Sequence, residues 1–444
     1  MKIFLYLWIG FRNVFRQTKR TFSLGINFTI IAVLLVLVFS FSRGASHNIS
    51  LNLSQATAGH LNVAGEYIIE GKSYPGVMGY SKVRDIVQKT FGTGAKSFPR
   101  YTLYTATYNK GNSKRITYYG IDPELEKDFS GQLNFIEGSW EDFAANPDSI
   151  AISKDIADYL ELYDVSELTV STRTRLGAFN TAVFSIAGVY TTNNYFVENL
   201  AIAHFDRLQA LDLADKDTAT IVVVFFDDLK QIDKKRDTLI TALGRGGLDA
   251  KKPKSSSDAI AAVTASSPRY KVEKVDKPLV IRLTVATLNE VLGILGNIIT
   301  AINSIGIFLA AVMLFVTAVA IFINLRMAIN DRMREIGTMR TIGVEGKGIT
   351  LLFVFEGLIL SLLFIVIGYF IAFVLITVLR YGITFNPSGA FSLLLTGGKL
   401  YFRPRISDLL LIMAAIAFFA AMFSFIPARQ AGRIRPADAL SKFE

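Results

Sequence analysis

Four uninterrupted apolar stretches divide the chain: Thr21–Ser42, Val291–Leu325, Gly348–Leu379 and Leu409–Ala428, one before and three after a polar segment of 248 residues. Glu356 is the only charged residue in any of them. A helix of about 20 apolar residues crosses the ~30 Å hydrocarbon core of a bilayer, and only an element that satisfies its own backbone hydrogen bonds can do so. The pattern predicts an α+β membrane protein with four transmembrane helices, one plus three, and a large α+β extracytoplasmic domain between helices 1 and 2.

Within the polar segment the periodicity alternates between two and 3.6. Ile221–Phe226 (IVVVFF) is a short apolar run suited to a buried strand, and Asp227–Leu243 follows with helical spacing at Leu229, Ile232, Leu239 and Leu243. A helix near Ser81–Thr90 leads into strands at Phe98–Tyr108 and Lys114–Gly120, joined by the turn-forming Lys110-Gly111-Asn112-Ser113. Two subdomains are expected, with Gly244–Ser257 as a basic surface loop between them.

The second stretch is longer than a bilayer requires. Its 35 uncharged residues extend about 52 Å as a helix, beyond a ~30 Å core even when tilted. The excess, with Asn297, Asn303 and Ser304, is expected to project as a stalk. The alternative is a break near Gly306.

Charge fixes the expected orientation. Lys2, Arg12, Arg16, Lys19 and Arg20 precede the first stretch; Arg326, Arg332, Arg334, Arg340 and Lys347 separate the second and third; Arg429, Arg433, Arg435 and Lys442 follow the fourth. These fourteen basic residues on one side oppose four, Arg380, Lys399, Arg403 and Arg405, on the other. Lys and Arg are retained on the cytoplasmic side, so both termini are expected there. The net charge of +10 belongs to this rim: residues 43–290 hold 29 basic and 30 acidic side chains, which argues against a nucleic-acid partner. The first stretch, at 22 residues, exceeds the usual signal-peptide core of about 7–15 and is expected to be a permanent helix. Before it, Phe4, Trp8, Phe11 and Phe15 share an arc flanked by Arg12, Arg16, Lys19 and Arg20, the pattern of a helix lying in the cytoplasmic interface.

The chain has no cysteine and only three scattered histidines, His47, His60 and His204. Disulfides, thiolate metal sites and a cysteine nucleophile are excluded, and no metal-ligand spacing occurs. Neither Gly92–Ser97 nor Gly244–Ser257 has the Gly-x4-Gly-Lys-Ser/Thr spacing of a nucleotide-binding loop.

The segment Asn330–Val344 (NDRMREIGTMRTIGV) is charged, helical in pattern and ended by glycine. With Glu356-Gly357 in the next stretch, it resembles the R-x-REIG-x-x-R-x-x-G signature of the FtsX-like permease family. The tail Ile426–Leu440 (IPARQAGRIRPADAL) is similar to that family's closing P-x-x-x-A-x-x-x-P-x-x-A-L pattern. Gly120-Ile121-Asp122-Pro123, Glu137-Gly138, Ala151-Ile152-Ser153 and Phe184–Val189 resemble its MacB-type outer domain.

The resemblance implies the permease subunit of a mechanotransmission-type ABC transporter, in which ATP-driven closure on the cytoplasmic side is relayed by the helices to the outer domain. No cofactor is expected in this chain; ATP and Mg would bind a separate ATPase of the LolD/MacB kind. Other implied partners are a second permease copy or paralogue, the lipid membrane, and a lipoprotein or periplasmic adaptor. The implied organisation is a cytoplasmic amphipathic helix at 1–20, transmembrane helix 1 at 21–42, a MacB-like extracytoplasmic domain at 43–285 and a stalk with helix 2 at 286–325. A coupling segment at 326–347, helix 3 at 348–379, an outer loop at 380–408, helix 4 at 409–428 and a cytoplasmic tail at 429–444 complete it.

The ATPase-coupling residues would be Arg332, Arg334, Glu335, Ile336, Gly337, Met339, Arg340 and Gly343, with Ile336, Met339 and Ile342 as an apolar docking face. Pro427, Arg429, Pro436 and Leu440 mark the tail motif. Glu356, costly inside a bilayer unless paired, is expected to contact a neighbouring helix or the N-terminal basic segment. Substrate residues carry no signature. A short Gly59-His60 stretch (AGHLNV from Ala58) resembles Lol-like, lipoprotein-releasing permeases of the bacterial inner membrane; MacB-like export is the alternative. A membrane sensor or scaffold is the reading from another class, but no cytoplasmic output domain fits the short segments on that side. An ion-coupled carrier would need more helices and more intramembrane charge.

Overall fold

The computed structural model describes residues 8–12, 18–263, 271–272, 278–385, 393–396 and 399–433. The chain divides into two compact units, residues 47–298 with 386–398, and residues 1–46, 299–385 and 399–444.

The second of these holds most of four long helices: Thr18–Leu53 (span 1), Leu288–Asp331 (span 2), Gly346–Gly382 (span 3) and Ile406–Gly432 (span 4). All four are long and apolar enough to cross a membrane. Phe28, Ile31 and Leu35 of span 1 pack with Ile321, Leu360, Ile365, Ile412 and Ile416 from the other three. Where apolar lipid gives no preference for helix association, close backbone approach at small residues supplies it. At Gly368 an added Cβ would stand 2.7 Å from Ala32 and 2.9 Å from the Thr29 carbonyl, so spans 1 and 3 meet through its missing side chain. Phe308, Phe315, Phe370, Phe373 and Phe418 face outward, as lipid-exposed positions do.

The other unit is α+β. Its large sheet contains thirteen strands. Leu61–Ile69 lies between Leu279–Thr287, which it pairs antiparallel over its whole length from Leu61↔Thr287 to Ile69↔Leu279, and Ile221–Phe226. Ile221–Phe226 pairs with the first part of the long strand Ala95–Asn109, whose second part pairs with Asn112–Ile121. Beyond it come Leu200–His204, Ser149–Ser153, Phe179–Thr191 and Asn134–Gly138. The single strand Ala95–Asn109 therefore serves two cores. One lies under helices Tyr80–Phe91 and Ile232–Arg245, with Leu61, Val83, Val222, Leu239 and Val285; the other surrounds Tyr101, Tyr118, Ile150, Phe184 and Leu208.

Local details depart from the pattern-based expectation in three places. The helix expected from Asp227 begins at Ile232, because Gln231 adopts φ 55° and the Asp228 carboxylate accepts the Lys230 backbone N–H in a turn. The region 244–257, expected as a loop, contains the strand Asp249–Lys251, paired parallel with Arg282–Thr284. Span 2 runs through Gly306 without a break; its non-helical residue is Gly293, at φ 28° and ψ −97°. At Gly306 the missing side chain serves packing, since an added Cβ would lie 2.7 Å from Val38.

Candidate coupling site

Span 2 stops at Asp331 because Arg332 leaves helical geometry (φ −102°, ψ 15°), and a new short helix, Met333–Thr341, starts from it. Glu335 in its first turn and Arg340 in its last match the helix dipole. Gly343, at φ 95°, lets the chain reverse: its N–H donates to the Arg340 carbonyl and the Val344 N–H to the Met339 carbonyl before span 3 begins at Gly346.

The residues singled out in this segment divide between two faces. Ile336 is fully buried among Leu325, Ile329, Ile349, Phe353, Ala428 and Ala431, and Met339 packs partly against the same cluster. Gly337 is buried as well. The apolar face drawn from spacing is thus occupied by the chain's own spans, apart from Ile342, which is 82% exposed. Arg334, Glu335, Thr338 and Thr341 are exposed with it. Arg340 is half-buried and donates to the Val344 carbonyl at 3.3 Å.

Arg332 lies on the inner side. Its side chain and that of Glu356 are each 7% exposed, and its Nη1 donates to Glu356 Oε2 at 3.1 Å. Its Nε is 3.6 Å from Glu335 Oε2, an ion-pair distance too long for a hydrogen bond. The intramembrane carboxylate thus pairs with the residue that begins the short helix, a contact of the kind expected of it. Gly10 of the basic segment ahead of span 1 approaches span 3: a Cβ there would lie 3.4 Å from the Glu356 backbone nitrogen. Of the interfacial arc, Trp8 and Phe11 are exposed; Phe4 and Phe15 fall outside the described residues.

The end of span 4 packs on the start of span 3. Gly346 and Gly432 bring the two backbones together, an added Cβ at Gly432 meeting the Gly346 carbonyl at 2.4 Å. Pro427, inside the helix, is buried and Arg429 is exposed. Pro436 and Leu440 lie outside the described residues.

The outer unit grips the two chain segments that enter and leave it. Span 1 ends in a π-helical turn, Ser54–Ala58, followed by Gly59 at φ 61°. The Ala56 carbonyl accepts from Arg100 Nη1 at 2.7 Å; Arg100 is 1% exposed and also donates to Glu126 Oε2 at 2.6 Å and Tyr119 Oη at 2.8 Å. Burial opposes its charge, but Glu126 and Tyr119 raise its pKa above the usual guanidinium value. At the other segment Thr287 and Glu290 form a reciprocal capping box: Thr287 N–H donates to Glu290 Oε2 at 2.8 Å and Glu290 N–H to Thr287 Oγ1 at 3.3 Å. Glu290 Oε1 accepts from Arg236 Nη1 at 2.6 Å, tying the first turn of span 2 to helix Ile232–Arg245. His60 lies at the junction: its Nδ1 accepts from the Phe226 N–H at 2.9 Å and its carbonyl from the Leu288 N–H at 3.1 Å. Burial, then Lys235, lowers its pKa. The Thr-x-x-Glu box was readable from the sequence; the buried arginines carry no local signal.

Comparison with known proteins gives the following. Residues 307–436 match the FtsX-like permease C-terminal model. A macrolide export ATP-binding/permease protein, MacB, of Chromobacterium violaceum is 25% identical over 155 residues, 35% of this chain and 22% of that protein. The chain therefore spans about a fifth of that relative's length. An uncharacterized ABC transporter permease of Methanocaldococcus jannaschii is 22% identical over 316 residues, 70% of this chain and 71% of that one. Among solved structures, the extracellular domain of the transporter YknZ from Gram-positive bacteria gives a TM-score of 0.27 at 13% identity, covering 41% of this chain and 94% of that structure. The periplasmic region of MacB from Actinobacillus actinomycetemcomitans gives 0.30 at 10% identity, covering 45% and 89%. Residues 307–436 thus match an FtsX-like permease C-terminal domain, and an ABC transporter permease and a MacB exporter are among the proteins this chain is similar to.

Proposed function

We propose that this chain is the permease subunit of a mechanotransmission-type ABC transporter in a bacterial inner membrane, driven by a separate ATPase subunit that binds ATP and Mg. Both termini and the short helix Met333–Thr341 face the cytoplasm in this reading, as the distribution of Lys and Arg supports. The observation that carries it is the division of the short helix. Its inner side is fixed to the spans by Ile336 and by the Arg332–Glu356 pair, while Arg334, Glu335, Thr338 and Ile342 point outward. A helix held rigidly from behind and charged in front can receive a push from a docked motor without yielding. The grips of Arg100 on span 1 and of Glu290 with Arg236 on span 2 supply the receiving end.

The work done is release of lipoprotein from the outer leaflet, supported by the Gly59-His60 stretch, with a second copy of this chain or a paralogue completing the pair. Export in the manner of MacB is the second reading, favoured by the 25% identity to the macrolide exporter over 155 residues. The test is purification of the native complex in detergent beside the Arg334→Ala/Glu335→Ala variant. An ATPase chain should co-purify with the wild type, and the variant should insert normally while losing either assembly or the coupling of hydrolysis to transport. Unchanged assembly and transport in the variant, or a wild-type chain that purifies without an ATPase, refutes the reading. Mass spectrometry of the bound molecules separates a lipidated protein from a small exported compound.

A further inference from the structure

Residues 380–408, between spans 3 and 4, hold four basic side chains, Arg380, Lys399, Arg403 and Arg405, and a single acid, Asp408. That acid is already committed: Arg43 of span 1 donates to its Oδ1 at 2.5 Å, and its Oδ2 is buried. None of the four cations forms an ion pair among the described residues. They are held in place all the same. In Lys399-Leu400-Tyr401-Phe402-Arg403 successive side chains turn to opposite sides, as along a strand, and Pro404 keeps Arg403 extended. Leu400 and Phe402 join the apolar core of the spans, which leaves Lys399, Tyr401 and Arg403 on the other side. The Phe402 ring centre lies 5.9 Å from that of Phe41, the Arg403 N–H donates to the Ser40 carbonyl at 3.0 Å, and Gly44 admits the Tyr401 carbonyl where a side chain would not. Arg380, in the last turn of span 3, joins them: its guanidinium is 5.5 Å from the Tyr381 ring centre and 5.6 Å from that of Tyr401. Next-but-one residues of an extended chain are about 7 Å apart, so Lys399, Arg403 and Arg380 surround one tyrosine.

Span 3 starts beside the short helix and runs 37 residues to Gly382, so this cluster marks the opposite end of the spans. Next to it, Val374 and Val378 of span 3 and Ile406, Leu410 and Leu411 of span 4 are exposed apolar surface. Cations and tyrosines above an apolar wall complement an amphiphile with a negative head and hydrocarbon tails. We propose that this cluster binds the phosphate headgroup of an anionic phospholipid in the leaflet opposite the short helix. The guanidinium groups of Arg380, Arg403 and Arg405 form charge-assisted hydrogen bonds to its phosphate oxygens, and its acyl chains lie along the exposed faces of spans 3 and 4. The bound anion answers four charges that run against the bias set by the fourteen at the other end. That this leaflet is the outer one rests on the functional reading; the phosphate contacts do not.

The experiment places the full chain in nanodiscs with phosphatidylglycerol that carries a photoreactive headgroup and maps the crosslinked peptides by mass spectrometry. Crosslinks are expected within residues 380–405. Each Lys or Arg near an anionic lipid contributes about fivefold to binding, so Arg380→Gln/Arg403→Gln/Arg405→Gln should lower the yield there about tenfold or more. Lysine at the same three positions should restore most of it, and crosslinks to basic residues beside the short helix should not change, which serves as the internal reference. An unchanged yield at 380–405 in the glutamine variant overturns the proposal. So does an equal yield from photoreactive phosphatidylcholine, which would make the cluster an unselective part of the interface. Excess inorganic phosphate should leave the crosslinks intact; their loss would mark a site for free anions and not for lipid. Should the triple variant fail to fold, Arg403→Gln/Arg405→Gln carries the same test with an expected loss of about fivefold or more. Neither an ATPase nor transport enters the measurement, so this inference and the functional reading fail separately.

Discussion

Replacing Arg100 tests how firmly the outer unit holds the end of span 1. The guanidinium bonds the Glu126 carboxylate, the Ala56 carbonyl and the Tyr119 hydroxyl, and lies over the rings of Tyr119, Phe129 and Phe225. Arg100→Met keeps much of the apolar contact but strands Glu126, which is 4% exposed, without its counter-charge. Removing one partner of a buried ion pair costs about 3–5 kcal/mol, because the remaining charge stays desolvated. For a domain of this size, unfolding midpoints move by about 2–4 °C per kcal/mol, so a drop of about 6–20 °C is expected. Arg100→Met/Glu126→Leu removes both charges and should recover at least half of that loss, leaving the Ala56 carbonyl and Tyr119 hydroxyl as the residual deficit. The assay is thermal unfolding of the full chain in nanodiscs, with both single variants and the double variant measured as a cycle. If the double variant loses the sum of the two singles, the charges do not act as a pair and the argument from Glu126 is wrong. If Arg100→Met unfolds within a degree of wild type, the grip itself is refuted.

His60 supplies a pH-dependent test. Its pKa is lowered in the folded state by burial and by Lys235, so it contributes stability that is present above the unfolded pKa near 6.5 and lost as pH falls from there toward the folded value. His60→Asn keeps a side-chain acceptor for the Phe226 N–H without titrating; between pH 7 and 5.5 the wild type should lose more stability than this variant, and parallel losses would exclude His60 as the cause. Gly293→Ala should destabilise by about 1–3 kcal/mol, because φ 28° strains an L-residue and the new Cβ would lie 2.8 Å from Ser256 Cβ; an unchanged midpoint would mean that the break is not held. Inserting Gly-Gly-Ser near Asn297 should abolish transport while sparing ATPase binding, since a soft joint absorbs displacement; transport at the wild-type rate would rule out a rigid span 2. Photo-crosslinks to a lipidated substrate should appear from the outer unit and the outer ends of spans 1 and 2; crosslinks confined to mid-depth in spans 3 and 4 would point to a channel through the membrane.

Much of the architecture was legible because its signals are local or periodic. The four spans follow from apolar length, and the strand Ile221–Phe226 and helix Tyr80–Phe91 from runs and spacing that survive in the fold. The short strand Asp249–Lys251 was hidden because its charged sequence looks like surface, and it exists only through parallel pairing with Leu279–Thr287. Arg332 was read with the other basic residues beside the spans as topology and docking charge. Its burial depends on Glu356, 24 positions onward, and no spacing rule links a helix start to the middle of the next span. Ile336 illustrates the same limit: helical periodicity identifies an apolar face, but not whether the chain itself or another protein covers it.

Two of the three glycines of span 2, Gly306 and Gly293, show how a correct residue type can be assigned the wrong task. A hinge at Gly306 would have placed flexibility inside the apolar stretch, but that glycine admits Val38 of span 1 and its helix is unbroken. The break falls at Gly293, immediately after a first turn that Glu290 caps with Thr287 and ties to Arg236. Leu288–Leu292 is therefore bound as part of the outer unit, and the helix that continues to Asp331 begins beyond it. Span 1 enters the same sheet on the neighbouring strand, through a π-helical turn whose carbonyls are held by Arg100. The strands that follow span 1 and precede span 2, Leu61–Ile69 and Leu279–Thr287, are adjacent and paired along nine residues, so both connections enter the sheet side by side, held in register by its backbone hydrogen bonds.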